Sequence, residues 1–101
     1  MEYKTRQEFA TLLRAATSRS IPEKDFWGQL KRLADDNPYY GMAFESATHY
    51  WGNFHQRNLL LIPVKPDRYQ VLQGQNELNL IADGVEGNWP SDELKRKLKD
   101  I

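Results

Sequence analysis

The sequence predicts a mainly α-helical, compact single domain of about five helices spanning residues 1–101. Three observations lead there: apolar residues recur at helical spacing in five segments, helix-capping residues precede those segments, and the 101-residue length supports one core. The alternative is an α+β fold with three helices, a small antiparallel meander at 59–82 and a C-terminal helix.

Thr5-Arg6-Gln7-Glu8 has the form of a capping box, and Phe9, Leu12, Leu13 and Ala16 follow at i, i+3, i+4, i+7 spacing. A first helix over about 5–18 is expected. Ser20-Ile21-Pro22-Glu23 repeats the logic, with Pro22 tolerated in a first turn where its missing N–H has no helical partner. Phe26, Trp27, Leu30, Leu33 and Ala34 mark one face of a second helix ending near Asp36. The short link between the two predicts an antiparallel hairpin.

Asn37-Pro38 reads as an N-cap followed by proline at the first helical position. In the helix it opens, Tyr40, Ala43, Phe44, Ala47, Tyr50, Trp51 and Phe54 cover an arc of about 120°, which predicts that this helix is the central one. Gly41, Glu45, Thr48 and Gly52 share the opposite side, where the glycines would admit a close neighbour or mark weak spots.

Residues 58–82 decide the fold class. As a helix, the segment starts at Pro66, uses Asp67 against the dipole and stops at Gly84, with Val71, Gly74, Leu78, Ile81, Ala82 and Val85 on one face. As strands, Leu59–Val64, Arg68–Gln73 and Glu77–Ala82 form a meander with turns at Lys65-Pro66-Asp67 and Gly74-Gln75-Asn76. The helix is preferred because its boundary residues and its face agree. After the turn-rich Gly84-Val85-Glu86-Gly87-Asn88, Ser91 would cap a closing helix with Leu94, Leu98 and Ile101 on its stripe.

Composition narrows the function. Fourteen Lys+Arg balance fourteen Asp+Glu, and the largest local excess is two positive charges in residues 1–20, which argues against nucleic acid as a partner. The cluster Lys95, Arg96, Lys97 and Lys99 is interleaved with Leu94 and Leu98 and answered by Asp92, Glu93 and Asp100, the pattern of a solvated helix face. A weak patch for RNA or an acidic partner is the alternative, which Tyr3, Arg6, Arg14 and Arg19 would extend only if the amino and carboxyl ends lie together. The absence of cysteine excludes disulfides, thiolate chemistry and cysteine-ligated metals. No apolar run approaches the roughly 20 residues of a membrane span, so no membrane partner and a cytoplasmic location are expected.

No metal, cofactor or catalytic residue is assigned. Serines 18, 20, 46 and 91 lie in no nucleophile elbow, and phosphate-loop, dinucleotide and His-Glu-x-x-His motifs are missing. Glu45 and His49, four apart on the third helix, could meet as an acid–base pair, though such pairs usually decorate a helix surface. His55 projects about 240° away from His49 on an unbroken helix and cannot share an ion with it. The twelve aromatic residues exceed what a small helical core needs. The leading expectation is therefore a non-enzymatic interaction or regulatory domain that binds another protein, or itself as a homodimer, through aromatic anchors, with Tyr39 and Trp89 as candidates. The alternative is a small-ligand domain with a pocket beside the third helix, lined by Tyr50, Trp51 and His55.

Overall fold

A computed structural model describes residues 2–34, 37–51 and 67–101. They form five helices: α1 (Tyr3–Thr17), α2 (Glu23–Arg32), α3 (Tyr40–Trp51), α4 (Arg68–Glu86) and α5 (Ser91–Lys99). There is no strand among the described residues, so the helical reading holds and the meander is overturned over 68–82; residues 59–66 lie outside the described part.

Burial follows the predicted spacing in α1 and α4, whereas α3 also buries Met42 and Ser46, which lie off its predicted aromatic arc. α1 buries Phe9, Leu12, Leu13 and Ala16, and α4 buries Leu78, Ile81, Ala82 and Val85, all in one apolar cluster with Phe26, Leu30, Ala43, Ala47 and Leu94. Each large member contributes about 1.5–3 kcal/mol by leaving water. The hairpin of α1 and α2 is present, since Arg32 at the end of α2 lies 4.0 Å from Glu8 in the first half of α1. α4, rather than α3, is the central helix, packing against α1, α3 and α5. α3 is amphipathic, but its aromatic side is spent on α2. Phe26 meets Trp51 at 4.9 Å and Trp27 at 5.5 Å between ring centroids, Trp27 meets Phe44 at 5.4 Å, and Tyr50 meets Trp51 edge-on at 4.7 Å. The aromatic surplus is thus a seam holding α2 to α3, with offset and edge geometries that suit the ring quadrupoles.

Several helix ends depart from the sequence reading. α1 begins at Tyr3 behind Glu2, ahead of the Thr5 capping box. Pro22 rather than Ser20 precedes α2, and Ser20 instead points back to the Ala15 carbonyl, while α2 stops at Arg32. α5 is entered from Pro90 with no side-chain cap, and Ile101 is exposed. The capping box that does form is Asp67 with Gln70: the Asp67 carboxylate accepts from the Gln70 N–H at 2.8 Å and the Gln70 amide oxygen accepts from the Asp67 N–H at 3.1 Å.

Gly84 does not end α4. The chain closes three residues later in a Schellman turn, where Trp89 N–H donates to the Gly84 carbonyl at 2.8 Å and Asn88 N–H to the Val85 carbonyl at 3.1 Å. Gly84 is where the Trp89 indole lies down, for an added Cβ would sit 2.9 Å from its ring. α1 ends in the same motif, with Ser20 N–H on Ala15 O and Arg19 N–H on Ala16 O. The left-handed position is Asn88 (φ 56°) in one turn and Arg19 (φ 58°) in the other. Asparagine tolerates that conformation and arginine pays a steric penalty there. Arg19→Gly is therefore expected to raise stability by about 1 kcal/mol, read as a higher urea midpoint at unchanged slope.

Candidate functional site

The expected surface anchors are turned inward. Tyr39 is 4% exposed, which corrects the expectation that it faces outward. Its backbone N–H donates to Asn37 Oδ1 at 2.9 Å, in a turn that precedes α3 rather than at the predicted first helical turn, and its hydroxyl donates to the Trp89 carbonyl at 2.5 Å. Trp89 is half-buried over Gly84 and Gly87, with Lys97 Nζ 5.0 Å from the ring centre as a cation–π contact. Together they tie the start of α3 to the α4–α5 turn. Burial pushes the Tyr39 phenol above its ordinary pKa, against the opposing pull of the Arg6 charge. The folded state thus keeps this proton when the unfolded chain, at about pH 10, begins to lose it. The stabilisation is complete below that pH and is lost as pH rises through the folded value. Tyr39→Phe is expected to lower stability by about 1 kcal/mol at neutral pH, and the gap between parent and variant should narrow in urea titrations run above about pH 10.

Of the residues expected beside the third helix, Tyr50 and Trp51 do line a hollow of about 250 Å³ with Ala16, Arg19, Ile21 and Val71. His55 lies outside the described residues. Charged groups converge elsewhere.

Glu45 and His49 do not pair with each other. The partner of His49 is Glu77 of α4, whose Oε1 lies 2.9 Å from His49 Nδ1, while Oε2 accepts from the Ser46 hydroxyl at 3.2 Å. A contact to an ionised carboxylate uses Nδ1 as the donor, and Nε2 makes no hydrogen bond with a described residue. Glu77 is 8% exposed and Ser46 2%, so this is a carboxylate taken out of water and held by two donors from successive turns of α3. Its position follows from helix register. Glu77 lies three residues after Gly74 and four before Ile81, inside the α4 stripe, and Gly74 brings the helices together so tightly that a Cβ there would sit 2.6 Å from Tyr50 N.

This pair lines a cleft of about 650 Å³ between α3, α4 and α5. Glu45 and His49 stand on the α3 wall and Lys95 and Lys99 on the α5 wall, with Met42 and Leu98 supplying apolar surface. No ion pair among the described residues joins those walls. A groove of about 530 Å³ between α1 and α2 holds no buried charged group. The Ser46 hydroxyl gives its proton to Glu77 rather than to His49, so the arrangement is a fixed carboxylate–imidazole dyad and not a serine activated by a base. No group of three or more metal-ligating side chains is assembled among the described residues.

Two of the N-terminal arginines are engaged on α4. Arg14 is held on α4 by Asp83 at 2.9 Å and by Glu86, whose hydrogen bonds, Glu86 first, raise the guanidinium pKa. Arg6 Nη1 donates to the Glu86 carbonyl at 3.3 Å. Arg6 and Arg14 therefore serve the α1–α4 seam. No helix among the described residues is long and apolar enough to cross a membrane. No family model, curated protein or solved structure matches this chain.

Proposed function

We propose that the chain is a small-ligand-binding domain whose site is the cleft between α3, α4 and α5. The observation that carries this reading is the buried Glu77 carboxylate, oriented by Ser46 and His49 beside a cleft of about 650 Å³. Binding pockets for small molecules fall in this size range and combine apolar walls with a few converging polar groups. Burying a carboxylate costs stability that an apolar residue would not, and a domain of 101 residues has little to spare. The reading keeps the small-ligand alternative and moves its site from the Tyr50 side of α3 to the His49 side.

A fragment library screened by amide chemical-shift mapping tests it. Binders are expected to shift Gly41, Glu45, His49, Gln73 and Leu98 together, and to lose this response in His49→Ala. Binders that map to the α1–α2 groove instead, or none at all, would overturn the reading.

A second reading, the protein-docking module, is favoured by Tyr69 and Leu72, which are 72% and 52% exposed one turn apart on α4. Sedimentation equilibrium distinguishes it for self-association: a concentration-dependent dimer abolished by Tyr69→Ser with Leu72→Ser supports this face, and a monomer at every concentration counts against a homodimer.

A further inference from the structure

Building on the cleft proposed above, we infer that its ligand is a small zwitterion, a molecule carrying an ammonium at one end and a carboxylate at the other. Each wall is built from an i, i+4 pair. On α3, Glu45 offers an acceptor that forms no ion pair with a described residue, and the His49 ring, engaged through Nδ1 on Glu77, stands one turn away. On α5, Lys95 and Lys99 offer only donors and likewise form no ion pair with a described residue.

An acceptor wall and a donor wall line one cleft without neutralising each other. Elsewhere, acids and bases at helix seams do meet, as Arg14 meets Asp83 at 2.9 Å and Glu86. A simple anion would satisfy the lysines and be repelled by Glu45 and Glu77; a simple cation would have the converse difficulty. A zwitterion places its ammonium, with three donors, on Glu45, and its carboxylate on Lys95 and Lys99. Met42 and Leu98 line the space that its methylene chain would cross.

The test uses linear ω-amino acids from glycine to aminohexanoate, each beside the alkylcarboxylate and the alkylamine of equal length, titrated into the full chain and followed by amide shifts. At the length that spans the cleft, the amino acid is expected to bind at least about tenfold tighter than either matched compound. The double substitution Lys95→Gln, Lys99→Gln should weaken the amino acid and the carboxylate while leaving the amine unchanged, and Glu45→Gln should weaken the amino acid and the amine while leaving the carboxylate unchanged. All three positions are exposed, so the fold survives the changes. A carboxylate that binds as well as the amino acid would make this an anion site, and an amine that does so a cation site; either overturns the assignment. If library fragments bind the cleft and none of these probes does, the zwitterion assignment fails and the cleft reading stands. If nothing binds there, both fail.

Discussion

Gly74→Ala is expected to destabilise the protein by about 3 kcal/mol, although alanine is the better helix former by about 1 kcal/mol. The reason is the α3–α4 contact. A Cβ at position 74 would lie 2.6 Å from the Tyr50 amide nitrogen and 2.8 Å from its Cα, and both are backbone atoms that no rotamer change can move. The helices must part or slide, and Ala43, Ala47 and Leu78 are all fully buried. Parting them exposes core surface along the seam. Gly28 and Gly41 supply the control, since a Cβ at either meets nothing within 4 Å. Gly28→Ala and Gly41→Ala should each stabilise by about 0.5–1 kcal/mol. Thermal unfolding of the three variants reads this directly, with shifts of roughly 4–8 °C per kcal/mol for a domain of this size. Equal gains in all three would mean that α3 and α4 are not in backbone contact at Gly74.

That contact also marks the limit of what the sequence makes legible. Five helices were readable because each carries its own apolar period, and Gly74 was placed correctly on the apolar face of α4. The helix entrances at Thr5, Ser20 and Ser91 were misread because a hydroxyl beside a helix can equally bond backward, as Ser20 does to Ala15, or stand inside the first turn, as Ser91 does. The Asp67-to-Gln70 spacing was a usable signal for the α4 entrance, though only the acid's effect on the dipole was drawn from it. The aromatic surplus suggested an interface, and most of it is internal to the α2–α3 seam. Its physical cause was invisible locally, because the mates of Trp51 and Phe44 lie on a different helix. The same holds for the site. His49 was singled out with the neighbour four residues away, while the carboxylate it pairs with is 28 residues on. Glu77 standing in the apolar stripe of α4 was the available clue, since an acid in that position needs a partner from the facing helix.

Glu77→Ala is the second large effect, expected at about 3 kcal/mol. The substitution removes two hydrogen bonds and leaves the Ser46 hydroxyl, 2% exposed, with no acceptor in place of Glu77. His49 is less affected, because its ring reaches solvent. The informative comparison is the double substitution Ser46→Ala, Glu77→Met. It deletes donor and acceptor together and fills the space with an apolar side chain, a replacement that is commonly neutral or stabilising when a buried polar cluster is exchanged whole. Stability within about 1 kcal/mol of the parent is therefore expected, measured by urea unfolding, with fragment binding in the cleft lost. That outcome separates the two reasons a small domain has for keeping a buried carboxylate. A cluster kept for the fold would show its loss in the unfolding curve of the double variant; a cluster kept to orient His49 toward a ligand would show it only in the binding isotherm. A double variant as unstable as Glu77→Ala would make the Ser46–Glu77–His49 cluster a structural tie between α3 and α4 and would remove the chief support for a ligand in this cleft.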